Sequence, residues 1–163
     1  MGDGGLLEGG MRYADELTAD VVWEVGDFLV PRLERAARAH PSDSEEGITA
    51  AALAEAVATL VLTLEAAVTG RTPGRGRVRE GTPSPRPPSE EERRVRAEVR
   101  LDRLREDWNR LCALAGHWRS APGYQESRWC RLEFRDADDE HRYERQRARA
   151  QVEGHVARPP RQG

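Results

Sequence analysis

Residues 89–118 read SEEERRVRAEVRLDRLREDWNRLCALAGHW, and this stretch decides the fold class. Ala97, Leu101, Leu104, Trp108, Leu111, Ala115 and Trp118 are separated by alternating steps of four and three. That is a heptad seam, the pattern of a long helix that buries one stripe. Ser89 followed by Glu92 is a capping box, so the helix is expected to begin there. Glu90–Arg94, Glu92–Arg96 and Glu106–Arg110 stand four apart in the favourable order, so the arginine-rich outer face reads as solvated and internally paired.

The chain then turns. Pro122-Gly123 suits the two central positions of a type II turn. The turn folds Trp129, Leu132 and Phe134 back toward Trp108 and Trp118. Trp129-x-x-Leu132 suits a helix and Leu132-x-Phe134 a strand, so residues 124–134 are left open between the two. From Asp136 a last helix is expected. Its sizeable apolar residues are Tyr143 and Val152, too few to bury a face.

Upstream, Leu17, Val21, Val25 and Phe28, continued by Val22, Leu29, Leu33 and Ala36, predict a helix over Tyr13–Ala39 with Trp23 beside the stripe. Pro31 is expected to kink or divide it near Leu29. His40–Gly47 reads as a loop. A second helix is expected from an N-cap at Thr49 to Thr69, stopped by Gly70. Leu53, Val57, Leu60, Leu64 and Val68 form one stripe, but Ala51, Ala54, Ala58, Val61 and Leu62 make the other faces apolar too. A helix apolar nearly all round is buried, membrane-spanning or an oligomer interface. Its uncharged run between Glu55 and Glu65 is far short of the roughly 20 residues a bilayer needs, so no membrane association is expected.

The sequence therefore predicts an all-α protein, a small helical bundle. An N-terminal acidic helical hairpin (11–69) is joined by a Pro/Gly/Arg linker (70–89) to an arginine-rich helical region (90–153), which holds the long helix and its fold-back segment. A leader (1–10) and a tail (154–163) are expected to be disordered. The purine-rich codons for Glu8–Gly10 suggest that translation starts at Met11.

Charge and composition limit the function. Hydrophobic residues make up 37% and charged residues 34% of the 163 residues, which allows only a modest, well-patterned core. Residues 1–69 carry 13 acidic and four basic side chains, and the remainder is net +6. Opposite charge can dock the two halves or align subunits. All 26 basic side chains are arginine. Such usage follows from a GC-rich genome, as in bacteria, phages and mobile elements, so it is weak evidence for nucleic-acid binding. Two cysteines make no disulfide framework, and a cytoplasmic location is expected.

Cys112, His117, Cys130 and His141 are zinc-ligand types, but no CxxC or close histidine pair provides a chelate. Asp138 and His141 lack the repeat that a bundle di-metal site requires. Cys112 and His117, five apart on one helix, point apart, and no third residue would orient a nucleophile. No phosphate-binding or hydrolase motif occurs. The sequence thus predicts no enzyme, no metal or cofactor, and no small-molecule substrate. It predicts a non-catalytic adaptor or regulator acting through protein–protein contacts and self-association. Trp108 and Trp118 read as core, and Trp118, Tyr124 and Trp129 near the turn are the expected partner surface. The alternative is a DNA- or RNA-associated accessory protein using the arginine-rich C-terminal helices, through Arg142, Arg145, Arg147 and Arg149.

Overall fold

A computed structural model of the chain describes residues 11–71 and 86–156. Within them lie four helices: α1 (Ala19–Arg38), α2 (Glu45–Val68), α3 (Glu90–Ala115) and α4 (Ala137–Val156). The fold is an all-α bundle. The leader 1–10, linker residues 72–85 and the tail beyond residue 156 lie outside the described residues.

α1 begins later than its spacing predicts. Residues 11–18 spend their backbone groups elsewhere. Ala14 N–H donates to the Phe134 carbonyl at 3.0 Å and Glu133 N–H to the Arg12 carbonyl at 3.0 Å. This is a single parallel bridge between Tyr13 and Phe134. The Glu16 carboxylate accepts from Arg12 N–H and Tyr13 N–H, starting a short 3₁₀ turn, Ala14–Glu16. α1 is not divided at Pro31, which lies on its exposed face. Water can reach the carbonyl that proline leaves free there. Ala36, expected on the buried stripe, is exposed.

α2 begins one turn before the expected cap. Ser44 Oγ accepts from Gly47 N–H at 3.1 Å, and the Ser44 hydroxyl donates to the Pro41 carbonyl at 2.7 Å. A β-carbon on Gly47 would sit 2.2 Å from the Pro41 carbonyl oxygen, so only glycine lets the loop return this closely. α1 and α2 also cross tightly, since a β-carbon on Gly26 would meet Val61 Cγ1 at 3.0 Å.

α3 opens on the expected capping box: Glu92 N–H donates to Ser89 Oγ, and Ser89 N–H to the Glu92 carboxylate. Its seam is buried over Leu104, Trp108, Leu111 and Ala115. Farther toward the N-terminus the seam is less covered. Ala97 is exposed, Leu101 only half-buried, and Val95 and Val99 are exposed. Among the described residues, the seam is therefore open at Ala97 and only partly covered at Leu101.

One core unites both halves of the chain. Val22, Val25 and Leu29 of α1 and Val57, Val61 and Leu64 of α2 pack in the same cluster as Trp108, Leu111, Trp129 and Leu132.

Candidate interaction surfaces

The sequence predicts a partner surface at the aromatic corner of Trp118, Tyr124 and Trp129. Gly123 has φ of +89°, and Tyr124 N–H donates to the Ala121 carbonyl, so the Pro122-Gly123 turn forms as expected. Beyond it, Trp129 N–H donates to the Gln125 carbonyl at 2.8 Å. This drops the indole onto α1. Its ring lies 4.8 Å from Phe28 and 5.3 Å from Tyr124, both edge-on. Arg32 stacks 3.7 Å from the Phe28 ring centre and donates to the Pro122 carbonyl, pinning the turn.

Trp129 is 4% exposed and belongs to the core, which corrects the expectation of a partner residue at that position. Trp118 and Tyr124 are half-buried against the same core. The corner is a clasp between the fold-back segment and α1, and little of it faces outward.

The fold-back segment is neither helix nor regular strand. The Asn109 amide holds it extended: Nδ2 donates to the Leu132 carbonyl and Leu132 N–H donates back to Oδ1. The buried Trp108 Nε1 donates to the Cys130 carbonyl at 2.9 Å. Cys112 is buried, and burial pushes its thiol up to about 12. Cys130 Sγ donates to the Met11 carbonyl. His117 is exposed and edge-on to Trp118. Among the described residues, no three His, Cys, Asp or Glu side chains cluster as metal ligands.

The arginines of α4 divide. Arg142 reaches Glu98 and Asp139. Arg145, Arg147 and Arg149 are exposed, with no carboxylate partner among the described residues. Beneath them a charged cluster ties α4 and the N-terminal segment to α3. Arg135 contacts Asp139 at 2.8 Å and also reaches Asp102 and Glu98. Arg12 contacts Glu140 at 2.7 Å, and the Tyr13 hydroxyl donates to the same carboxylate. The Arg135 hydrogen bond holds Asp139 below the usual carboxylate range. The Tyr13 hydroxyl does the same for Glu140.

On α3, only Glu106–Arg110 forms among the three expected helix pairs. Glu92 is occupied by the cap, and Arg94 turns to Glu91.

Another surface lies along the outside of the α1–α2 hairpin. Trp23, Val30 and Ala37 sit seven apart on one row of α1. Two hollows adjoin there. One, of about 220 Å³, lies beside Trp23, Gly26 and Leu62. The other, of about 360 Å³, is lined by Ala37, Ala51 and Ala54. They share Val30 and Ala58 and so form one groove. Trp23 is 41% and Leu62 55% exposed, large apolar side chains left in water at one end. The seven-residue spacing was the available signal, hidden because Trp23 sat beside a stronger stripe. α2 has the length and mean hydropathy, 1.8, of a membrane span, but it packs one face on α1 and carries Glu55 on the groove.

No protein-family model matches this chain. No curated protein and no solved structure matches it either. Any functional reading therefore rests on these surfaces.

Proposed function

We propose that the chain is a non-catalytic helical adaptor that works through protein–protein contacts and pairs with a second copy of itself across the α1–α2 groove. The observation that carries this reading is the groove's self-complementary layout. Trp23 and Leu62 protrude at one end, and the other end is a hollow with Ala37, Ala51 and Ala54 along it and Glu34, Arg38 and Glu55 at its sides. Val30 is the midpoint between Trp23 and Ala37, and Ala58 is the midpoint between Leu62 and Ala54.

A two-fold axis past Val30 and Ala58 would set each Trp23 over the partner copy's alanine-lined hollow, the isologous arrangement that closed dimers use. Charge supports the same antiparallel pairing. Asp20 and Asp27 mark the first half of α1 and Arg35 the second, where Arg38 is already held by Glu34 at 3.3 Å. Burying an exposed tryptophan and leucine supplies the apolar anchor that interfaces depend on.

Disulfide trapping tests it. Ala58→Cys lies beside the proposed axis and should cross-link two chains under mild oxidation, because a residue beside a two-fold axis faces its own copy, as a disulfide requires. Ala113→Cys, exposed on α3, should not. Equal cross-linking at both positions, or none at Ala58→Cys, contradicts this dimer.

The exposed arginines of α4 favour one second reading, association with DNA or RNA through Arg145, Arg147 and Arg149. Its test is oligonucleotide binding by the full chain as salt is raised. Phosphate contacts would weaken steeply with salt, and absence of binding at low salt removes the reading.

A further inference from the structure

We propose that the cleft between the end of α2 and the exposed half of α3 docks an acidic amphipathic helix of a partner protein. This rests on the adaptor reading and supplies the chemistry of its partner.

The cleft encloses about 450 Å³. Its floor is apolar: Leu64 and Ala67 from α2, Val99 and Leu104 from α3. Arg71, Arg96, Arg100 and Arg103 surround it. The one carboxylate in its wall, Asp107, is held by Arg110 at 2.9 Å. Arg96, Arg100 and Arg103 form a row along α3 at steps of four and three, spanning about 10 Å.

These three arginines differ from Arg94, Arg105 and Arg110. Arg94, Arg105 and Arg110 each contact a carboxylate on α3. Arg96, Arg100 and Arg103 have none within reach among the described residues. Glu92, four residues before Arg96, is occupied by the helix cap. Arg94, Arg105 and Arg110 are therefore neutralised within the helix and Arg71 is held by Glu65 at 3.7 Å, whereas Arg96, Arg100 and Arg103 line the cleft with no carboxylate among the described residues and can take an anion there.

The floor determines which anion. A phosphodiester backbone would engage the arginines and leave the exposed Val99 wet. A helix with carboxylates flanking an apolar stripe covers both at once, the helix-in-groove mode of recognition. Its carboxylates, one turn apart, match the arginine row and give charge-assisted contacts.

The test uses the full chain and three fluorescent probes. These are a synthetic helical peptide with a leucine stripe flanked by glutamates, polyglutamate of equal length, and a single-stranded oligonucleotide. The amphipathic peptide should bind at least about tenfold more tightly than either other probe. The exposed-site variant Arg96→Glu/Arg100→Glu should weaken it by about tenfold or more, and Val99→Asp should also weaken it. Circular dichroism checks that both variants remain helical. Absence of saturable peptide binding, equal affinity for polyglutamate, tighter oligonucleotide binding, or indifference to both variants each overturns the proposal. The cleft shares no lining residue with the α1–α2 groove. Loss of peptide binding with Ala58→Cys cross-linking retained would sink this proposal alone.

Discussion

The side chain of Asn109 pairs with both backbone polar groups of Leu132, donating from Nδ2 at 3.0 Å and accepting at Oδ1 at 2.8 Å. An amide has one donor face and one acceptor face, so it substitutes for a neighbouring strand. It holds in place a segment whose only ladder partner among the described residues is Tyr13. Asn109→Ala should orphan both groups beside the buried Leu132, at about 1–3 kcal/mol each. Asn109→Asp keeps the acceptor and turns an oxygen on the Leu132 carbonyl, so it should recover little. Urea denaturation measures both, and an unchanged midpoint for Asn109→Ala would remove this role.

Trp108 and Trp129 are both buried but differ at the indole nitrogen. Trp108 Nε1 donates to the Cys130 carbonyl, while Trp129 Nε1 finds no acceptor among the described residues. Phenylalanine at either position loses volume, but only Trp108→Phe loses a hydrogen bond. Trp108→Phe should therefore be the more damaging, by about 1–3 kcal/mol in unfolding free energy. Equal losses would show that the Cys130 contact is neutral.

Acid should loosen the tie between the N-terminal segment, α4 and α3. Asp139 and Glu140 are both held below the usual carboxylate range. A depressed carboxylate contributes stability above its unfolded value, and this is lost as pH falls through the folded one. The loss should thus begin below about pH 4. Burial raises Asp15 and works in the opposite direction. Asp139→Asn and Tyr13→Phe should lower the melting temperature at neutral pH and flatten its fall in acid. A wild-type acid slope matching that of Asp139→Asn would count against the network.

The cysteines should be slow to react. Burial pushes Cys112 up to about 12 and also raises Cys130. The thiolate is the reactive form, so little is present near neutrality. Alkylation of native protein at pH 8 should be much slower than after unfolding in guanidinium. Rapid native labelling of Cys112 would contradict its burial.

The features legible in the sequence were the local ones. Ser89 and Glu92 announced a cap, and Pro122-Gly123 a turn, because each is settled within four residues. Residues 13–18 are expected to be helical because Leu17 continues the spacing of Val21 and Val25. Their backbone instead pairs with Phe134, a partner more than a hundred residues away that no periodicity reveals. Trp129 was correctly returned to the bundle by its turn. Its contact with Phe28 depends on where α1 lies, and that moved it from the expected surface into the core. The groove and the cleft were hidden for related reasons. Trp23, Val30 and Ala37 form a second stripe beside a stronger one, and the freedom of Arg96 depends on Glu92 choosing the cap.

Sedimentation equilibrium of the purified full chain, beside Trp23→Ala/Leu62→Arg, tests the adaptor's self-association most directly. Both altered side chains are exposed in a single copy, so the variant should keep its helical signal and melting behaviour as a monomer. The account predicts twice the chain mass for the native protein and the single-chain mass for the variant. A native protein that stays at the single-chain mass at every concentration, or a variant that dimerises as well as the native chain, contradicts it.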